Sequence, residues 1–391
     1  MIQEIWIIVN YNLYESKRYF CTKFAEALER QGVKARILDV ESAKPQEWIK
    51  KFGKGHGPDL WCSFNRSIPN NEGKFFWDIH QIPFFSILVD PALYDLNLLQ
   101  SPYSIISCVD RLDCKFLEQH QFDRGFFWPH AVEKELSASN QTQRPYDVVF
   151  FGSSCDPEGL RSAWQAKYPK EIAQLIDEAA EITLSKRQIP FWEAVETVTS
   201  QKDVSDSIDK GQLNYYVDNY TRGIDRLELI RAIKDASVHV FGGTCWRDER
   251  PIKSWLQCLA ELPNVTVHPA IPFQESLAIL KQSKICLNSM PFFKDGTHER
   301  IFTGLACGCL PITNDNLWVA ENFIDGEELL LYGSKQWDTI NAKVNYYLAH
   351  EEERERLATR GRVKVMRDHT WDRRVEQLLT VLPPLLARIK Q

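Results

Sequence analysis

The sequence contains no Cys-x-x-Cys pair, although it has ten cysteines in 391 residues. Several cysteines lie inside apolar runs, such as Cys108 in SIISCVD and Cys286 in KICLNSM, where cysteine behaves as a small hydrophobic residue. Scattered cysteines of this kind do not supply the paired ligands of a structural zinc site. We therefore predict reduced thiols and no metal site.

Long apolar segments are also missing. No run approaches the roughly 20 residues that span a bilayer, and the start, MIQEIWIIVN, lacks the basic residues and cleavage site of an export signal. The formal net charge of −6 gives no general reason to expect nucleic acid as a partner. These absences predict a cytoplasmic protein and leave only peripheral contact with a membrane open.

The length of the chain favours two domains, because 391 residues exceed one ordinary hydrophobic core. In the first third, apolar runs alternate with amphipathic segments, and the first helical segment ends at Gly32, as a helix C-cap predicts. Apolar strands separated by helices indicate a parallel sheet covered on both faces. The candidate strands span residues 5–10, 33–40, 59–65, 84–90, 103–110 and 125–132.

A polar stretch, EKELSASNQTQRP at 133–145, has the composition of a linker. The alternation then restarts, after which residues 156–235 form a long helical insertion. We therefore predict an α/β protein with two Rossmann-like domains, at 1–135 and 146–368, followed by a C-terminal helix at 369–391. The second set of candidate strands spans residues 146–153, 237–243, 265–271, 284–290, 310–315 and 328–333.

The most informative stretch is SMPFFKDGTHERIFTGLACGCLPITND, residues 289–315. A strand ends at its start, a loop follows, and a helix runs from about Glu299 to Ala306. Ligands of open α/β sheets bind outside the carboxyl ends of the strands. The helix N-terminus therefore lies where a diphosphate is expected, with free N–H groups and a positive dipole. Lys294 and Arg300 would add positive charge.

The same residues also fit an ordinary helix start in which Gly296 serves only the turn. Taken together, however, the stretch resembles the C-terminal domain of GT-B glycosyltransferases, specifically the CgeB-like group of the family 1/4 superfamily. The group has a Gly-containing loop, His-x-Arg-x-Phe, a helix with Ala-x-Gly and a Pro-Ile-Thr strand. The similarity covers about residues 146–380, without the helical insertion. The matching residues are His298, Glu299, Arg300, Phe302, Ala306, Gly308, Pro311, Ile312 and Thr313.

The resemblance implies a GT-B arrangement in which the C-terminal domain binds a nucleotide-diphosphate sugar and the N-terminal domain offers the acceptor. It also implies that the C-terminal helix packs back on the first domain. The expected function is glycosyl transfer to a glycan, a lipid-linked glycan or a protein, with no cofactor besides the donor substrate. A nucleotide-sugar epimerase on the same fold and a non-catalytic sugar-nucleotide-binding protein stay open as alternatives.

One departure from the family's pattern concerns two acidic positions. Related retaining enzymes carry two glutamates eight positions apart, the first near the donor sugar and the second on the ribose. These positions fall at Asp295, which is still acidic, and at Thr303, which is shorter and neutral. We predict catalytic roles for Asp295 and His298. The donor contacts predicted in this stretch are Lys294, Gly296, Thr297, Glu299, Arg300 and Thr303.

Three other loops follow strands of the second half. Gly152 and Ser153 let a phosphate or sugar approach the backbone, whereas Trp246 and Arg247 offer stacking and an anion contact. An ordinary Gly turn with an exposed Trp is the alternative interpretation. The loop from Ala270 to Phe273 resembles the place where GT-B proteins hold the nucleotide base, and Ala270 is predicted as a donor contact.

On the acceptor side, Asp90 follows a strand of the first half, where similar enzymes carry an Asp-Pro that faces the cleft. A carboxylate there serves as a general base for an acceptor hydroxyl, although Asp before Pro is also a common turn starter. Asn10, Tyr11 and Asn12 follow the first strand and His130 ends the last one, and these four are predicted to contact the acceptor. A structural role is the alternative for His130.

The sequence also has no clean Asp-x-Asp pair, the pattern with which metal-dependent transferases hold a divalent ion on the diphosphate. We therefore predict a metal-independent transferase in which the helix dipole and basic side chains neutralise the leaving group.

Overall fold

The structure is a computed structural model that describes residues 2–9, 14–39, 57–65, 73–138, 144–201, 208–244 and 252–389. Within these residues two six-stranded sheets form, one in the first half of the chain (up to residue 138) and one in the second half (from residue 144). Every pairing between their strands is parallel. Each strand overlaps one of the twelve candidate strands, so the predicted α/β fold is confirmed.

The first sheet has the strand order β2-β1-β3-β4-β5-β6. Its central strands β3, β4 and β5 are buried along their whole length, which explains why they consist of near-continuous apolar runs. The strands are β1 (Glu4–Val9), β2 (Lys34–Asp39), β3 (Leu60–Phe64), β4 (Phe84–Leu88), β5 (Ser104–Cys108) and β6 (Gly125–Phe127). The accompanying helices are α1 (Ser16–Arg30), α2 (Phe76–His80), a 3-10 helix (Ala92–Gln100) and α3 (Arg111–Gln119).

The second sheet has the order β12-β11-β10-β7-β8-β9. The chain begins at β7, adds β8 and β9 on one side, and then crosses to the other side for the last three strands. The strands are β7 (Tyr146–Phe151), β8 (Val238–Phe241), β9 (Val265–His268), β10 (Ser283–Leu287), β11 (Leu310–Asn314) and β12 (Leu330–Tyr332).

Between β7 and β8 the chain forms the long helical segment that the composition predicts. Its helices are α4 (Pro157–Lys167), α5 (Lys170–Ser185), α6 (Phe191–Gln201) and α7 (Lys210–Arg231). The segment also contacts the first half. The Tyr94 hydroxyl donates a hydrogen bond of 2.5 Å to the Asp218 carboxylate on α7, and the Trp192 ring lies 5.0 Å from Phe116.

The remaining helices cover the second sheet, except for the last one, α14, which lies against α1. Trp371 of α14 packs with its ring 6.2, 6.0 and 5.8 Å from those of Phe20, Phe24 and Phe64. None of the described helices is both long enough and apolar enough for a membrane span. These last helices are α8 (Trp255–Cys258), α9 (Phe273–Lys281), α10 (Glu299–Ala306), α11 (Leu317–Asn322), α12 (Ile340–Ala349), α13 (Glu351–Asp368) and α14 (Trp371–Ile389).

Candidate active site

The second sheet reverses its direction of growth at β7, and this reversal marks where a ligand is expected. The next strand along the chain, β8, pairs with one edge of β7, whereas β10 pairs with the other. In open parallel sheets, ligands bind outside the carboxyl ends of the strands at such a point. Gly152 and Ser153 follow β7, and helix α10 follows β10, so both lie at this crevice.

A cavity of about 70 Å³ occupies the crevice, and its walls come from both halves of the chain. Helix α10 contributes Glu299, Arg300 and Thr303, whereas Tyr14 and Ser16 belong to the first half. Three predicted donor-binding regions, near residues 152, 271 and 300, therefore line one cavity. The other lining residues are Phe151, Gly152, Phe241, Ile271, Phe273, Ser276 and Leu280.

His298 precedes helix α10, and its imidazole contacts the two residues that follow it. Nδ1 lies 2.7 Å from the Glu299 carboxylate and 3.4 Å from the backbone nitrogen of Arg300. In a neutral imidazole each nitrogen either carries a proton or does not. Nδ1 therefore cannot both donate to Glu299 and accept from the Arg300 nitrogen. The shorter distance indicates that Nδ1 donates to Glu299. Nε2 is then the acceptor, 3.5 Å from Nη1 of Arg300.

These neighbours fix the charges inside the cavity. Burial by itself raises the pKa of Glu299, but His298 and Arg300 bring that pKa well below its usual range. Burial also lowers the pKa of the His298 imidazole and that of the Arg300 guanidinium. Near pH 7 the site therefore presents an ionised carboxylate, a neutral imidazole and a guanidinium that is still protonated.

Thr303 lies one helical turn after Glu299, on the same wall of the cavity. Its hydroxyl donates a hydrogen bond of 3.0 Å to the backbone oxygen of Glu299. The hydroxyl proton is thus used inside the helix, which leaves the oxygen as an acceptor only. Among the described residues that line the cavity, Glu299 is the one with a carboxylate.

The loop before His298 is bound to the first half of the chain. Asp295 accepts a hydrogen bond of 2.9 Å at its backbone oxygen from the nitrogen of Arg111, and its own nitrogen donates to the Asp110 carboxylate at 3.0 Å. The nitrogen of Thr297 donates to Val109 at 2.9 Å. The structure therefore places residues 295–297 at the contact between the halves. None of them lines the cavity, so their predicted donor and catalytic roles stay predictions.

Gly296 is at the centre of this contact, where it pairs with Asp110 in an antiparallel bridge. A Cβ atom on Gly296 would lie 2.5 Å from the Val109 oxygen and 2.7 Å from the Asp110 Cα. The close approach of the two backbones therefore requires glycine, which is a structural reason for this residue.

Replacing Gly296 with Ala is expected to lower the free energy of unfolding by about 1–3 kcal/mol, because backbone atoms have to move apart. Urea-induced unfolding measures the effect. The matched control is Gly211→Ala on helix α7, where a Cβ would meet only the Asp209 carboxylate, at 3.0 Å. Equal stability of the two variants would show that the contact between the halves tolerates a side chain at residue 296.

Lys294 and His130 are buried beside the same contact. The Lys294 ammonium donates to the Thr183 backbone oxygen at 2.5 Å, and burial lowers its pKa to about 8. His130 has Nδ1 at 3.1 Å from the Thr297 hydroxyl and its ring 6.0 Å from that of His298, and burial lowers its pKa to about 4. Neither side chain lines the cavity, so their predicted donor and acceptor roles are untested.

Asp90 lies at the carboxyl end of β4, as the sequence predicts. Its carboxylate accepts a hydrogen bond of 2.8 Å from the Asn65 side chain, and the Asn65 oxygen accepts one of 2.7 Å from Val89. Burial lowers the pKa of Arg222 on α7, but Asp218 above all, and also Asp90, raise it beyond its usual range. The charge of Asp90 therefore acts on a side chain of the second half.

Tyr14 joins the first half to the glycine-containing loops of the second. Its hydroxyl lies 2.5 Å from the Ser153 hydroxyl and accepts a longer bond of 3.4 Å from the nitrogen of Gly243. A Cβ on Gly242 would lie 1.8 Å from the Gly152 oxygen. The loops after β7 and β8 thus approach each other closely, and no pattern in the sequence pointed to Tyr14.

Several predicted residues lie outside the described part of the chain, namely Asn10, Tyr11, Asn12, Trp246 and Arg247. Ala270 is half-buried, and the residue after it lines the cavity. Among the described residues, no three His, Cys, Asp or Glu side chains converge as ligands for a metal ion.

Residues 226–380, which run from within α7 to within α14, match a family model described as glycosyl transferase-like. The sequence matches no curated protein. Sucrose-phosphate synthase from Thermosynechococcus elongatus is similar in structure, with a TM-score of 0.58 and 12% identity over 98% of this chain and 99% of that chain. HepE from Anabaena, solved with UDP and glucose, has a TM-score of 0.57 and 10% identity over 98% and 100%.

A glycosyltransferase from Rickettsia africae is also similar, with a TM-score of 0.54 and 11% identity over 98% of this chain and 99% of that chain. At such identities the likeness concerns the fold. The chain has the GT-B fold, since its two parallel sheets align with these structures over nearly the whole chain. Its second half contains a glycosyl transferase-like segment. The GT-B prediction is confirmed, and the narrower CgeB-like assignment stays a prediction.

Proposed function

We propose that the protein is a glycosyltransferase that moves a sugar from a nucleotide-diphosphate sugar to an acceptor. The observation that carries this proposal is the cavity at the reversal point of the second sheet, where Arg300 and Glu299 stand side by side. The glycosyl transferase-like match spans both residues. The structure of HepE with UDP-glucose supports the choice of donor, because that protein shares the GT-B fold.

The charges of the cavity fit the parts of such a donor. The N-terminus of α10 and the Arg300 guanidinium favour the diphosphate, which carries negative charge into the leaving group. The ionised Glu299 repels phosphate and instead accepts hydrogen bonds from hydroxyl groups, either of the ribose or of the transferred sugar. His298 holds the Glu299 carboxylate in place by its bond of 2.7 Å.

The acceptor belongs on the first half, where Asp90 acts as the general base for an acceptor hydroxyl. Glycans, lipid-linked glycans and proteins are the acceptor classes that we propose. The cavity of about 70 Å³ forms one part of the donor site, because sites for ligands of this size occupy several hundred Å³ or more. Closure around the bound substrates then excludes water and aligns the acceptor with the anomeric carbon. A cytoplasmic location and peripheral membrane contact stay predictions from the sequence.

A melting-temperature screen with UDP-, GDP-, dTDP- and CMP-sugars tests the donor class. A ligand present at 100 times its dissociation constant stabilises the protein by about 2.7 kcal/mol. Product analysis with the stabilising donor then tests the reaction, because only a transferase needs an acceptor to exceed slow hydrolysis. Conversion of the donor to an isomeric nucleotide sugar without an acceptor would identify an epimerase instead.

We also propose that transfer needs no divalent ion, because the helix N-terminus and the guanidinium neutralise the leaving group. Activity is therefore expected to survive dialysis against EDTA, as measured by transfer rate before and after addition of manganese or magnesium. Loss of activity that manganese restores would contradict this mechanism. Modest stimulation by magnesium would not contradict the mechanism, because the ion also screens free phosphate.

A further inference from the structure

We propose that the helical segment between β7 and β8 is part of the donor site, and that it acts through Arg226 on helix α7. In this proposal, Arg226 is a positioning residue that holds the Gly152–Ser153 loop and supplies positive charge for the donor's diphosphate. The inference rests on the proposed function, since it assigns one more residue to the same site. It gives a role to a segment that the sequence alone shows only as an insertion.

The contacts of Arg226 place its guanidinium against the Gly152–Ser153 loop. Nη1 donates a hydrogen bond of 2.7 Å to the Ser153 backbone oxygen and lies 3.3 Å from the Cys155 sulfur. A Cβ on Gly152 would lie 3.8 Å from the Arg226 Cζ. Gly152 lines the cavity, so the guanidinium lies next to a residue of the cavity wall.

Arg226 is buried without a partner of opposite charge. The residue is 7% exposed, and its Nε has no hydrogen-bond partner. Within the described residues, no carboxylate lies within 4.0 Å of its guanidinium. A buried charge is costly unless it is paired or hydrogen-bonded. The guanidinium therefore calls for an anion that the described part of the chain does not provide.

Another buried arginine shows what a purely structural role looks like. Arg374, which is 5% exposed, donates to the backbone oxygens of Pro129, His130 and Asp368 and contacts Nδ1 of His369. Its donors are thus spread over four protein acceptors. Among the described residues, Arg226 instead forms hydrogen-bond contacts with Ser153 and Cys155 alone, and its buried Nε–H group has no partner.

A second positive charge lies close by. The charge of Arg226 is one of the causes that lower the pKa of Arg300, after burial. The described ion pairs of Arg300 involve Glu299 alone, with the two groups 3.6 Å apart. Among the described residues, only one of the two guanidiniums, that of Arg300, is paired with a carboxylate. This excess of positive charge complements a diphosphate, which brings at least two negative charges.

Helix α7 also reaches the acceptor side. One helical turn before Arg226 lies Arg222, whose Nε donates a bond of 2.6 Å to Asp218 and whose pKa responds to Asp90. Asp218, Arg222 and Arg226 follow one another at spacings of four residues and therefore lie on one face of helix α7. This face runs from the first half to the Gly152–Ser153 loop. The helical segment is a wall of the cleft that both substrates share.

The test measures binding of UDP, GDP and dTDP and of the corresponding nucleosides to wild-type protein by calorimetry. For the nucleoside diphosphate that binds best, Arg226→Gln is expected to weaken binding about tenfold or more, whereas affinity for the nucleoside stays unchanged. Gln still offers an N–H group to the Ser153 oxygen but has no charge. Arg226→Lys, which restores the charge, is expected to recover most of the loss.

The matched control is Arg231→Ala on the same helix, because Arg231 is 38% exposed and pairs with Glu228. It is expected to bind the nucleoside diphosphate like wild type. Unchanged diphosphate affinity in Arg226→Gln would overturn the inference while leaving the proposed function intact. Equal losses for diphosphate and nucleoside would also overturn it, since they indicate a collapsed loop. If wild-type protein binds none of the three nucleoside diphosphates, the proposed function fails as well.

Discussion

Replacing Asp90 with Asn is expected to lower the turnover of glycosyl transfer by about 10²–10⁴-fold, because the acceptor hydroxyl loses its general base. Asn keeps the size of the side chain and an oxygen that accepts the bond from Asn65, which measures 2.8 Å. The fold at the end of β4 should therefore persist. Initial rates with saturating donor and varied acceptor measure the effect.

Donor binding should change little in this variant, because Asp90 is not among the residues that line the cavity beside helix α10. Calorimetry with the donor alone checks this. Asp123→Asn is the matched control, since Asp123 has a side chain that is 65% exposed and lies away from β4. Full transfer activity in Asp90→Asn would mean that Asp90 serves only the turn before Pro91.

Replacing Arg300 with Ala is expected to weaken donor binding by about 1.5–3 kcal/mol, the usual range for a lost hydrogen bond to a charged group. This corresponds to a rise in the dissociation constant of roughly 10- to 150-fold. Arg300 lies in the first turn of α10, lines the cavity, and has a side chain that is 17% exposed. Calorimetric titration with the nucleotide sugar measures the loss.

Arg300→Lys should recover part of the affinity, because it keeps the charge but not the planar fork that binds two phosphate oxygens. Arg360→Ala is a control for loss of an arginine as such, since this side chain is 52% exposed and pairs with Glu327 at 3.1 Å. Wild-type affinity in Arg300→Ala would remove this residue from the donor site.

The sequence predicted the fold well because parallel sheets leave a strong local signal. Strands such as β4 and β5 are buried along their whole length, so each is a short apolar run between polar segments. Ligands bind at the carboxyl ends of such strands, and therefore the positions of Glu299, Arg300 and Thr303 along the chain were enough to predict that they lie together at this edge, where they line one cavity.

Contacts between distant segments leave no comparable signal. The loop at 294–297 has the composition of a phosphate-binding turn, yet Gly296 is required because Asp110, far away along the chain, approaches its backbone. Tyr14 comes from the first half and lines the cavity, whereas Arg226 comes from the helical segment and lies beside Gly152. Their local sequences resemble those of ordinary loop and helix residues.

The sequence by itself therefore determined the two parallel sheets, the order of their strands along the chain and the helix that begins at the cavity. These features depend on periodicity, burial and residue type within short stretches. Only the tertiary structure decided which loops face the cavity and which join the two halves. That choice depends on close approach between backbones and on buried charged residues such as Arg226. The hydrogen-bond partners of Arg226, Ser153 and Cys155, lie far away in the sequence.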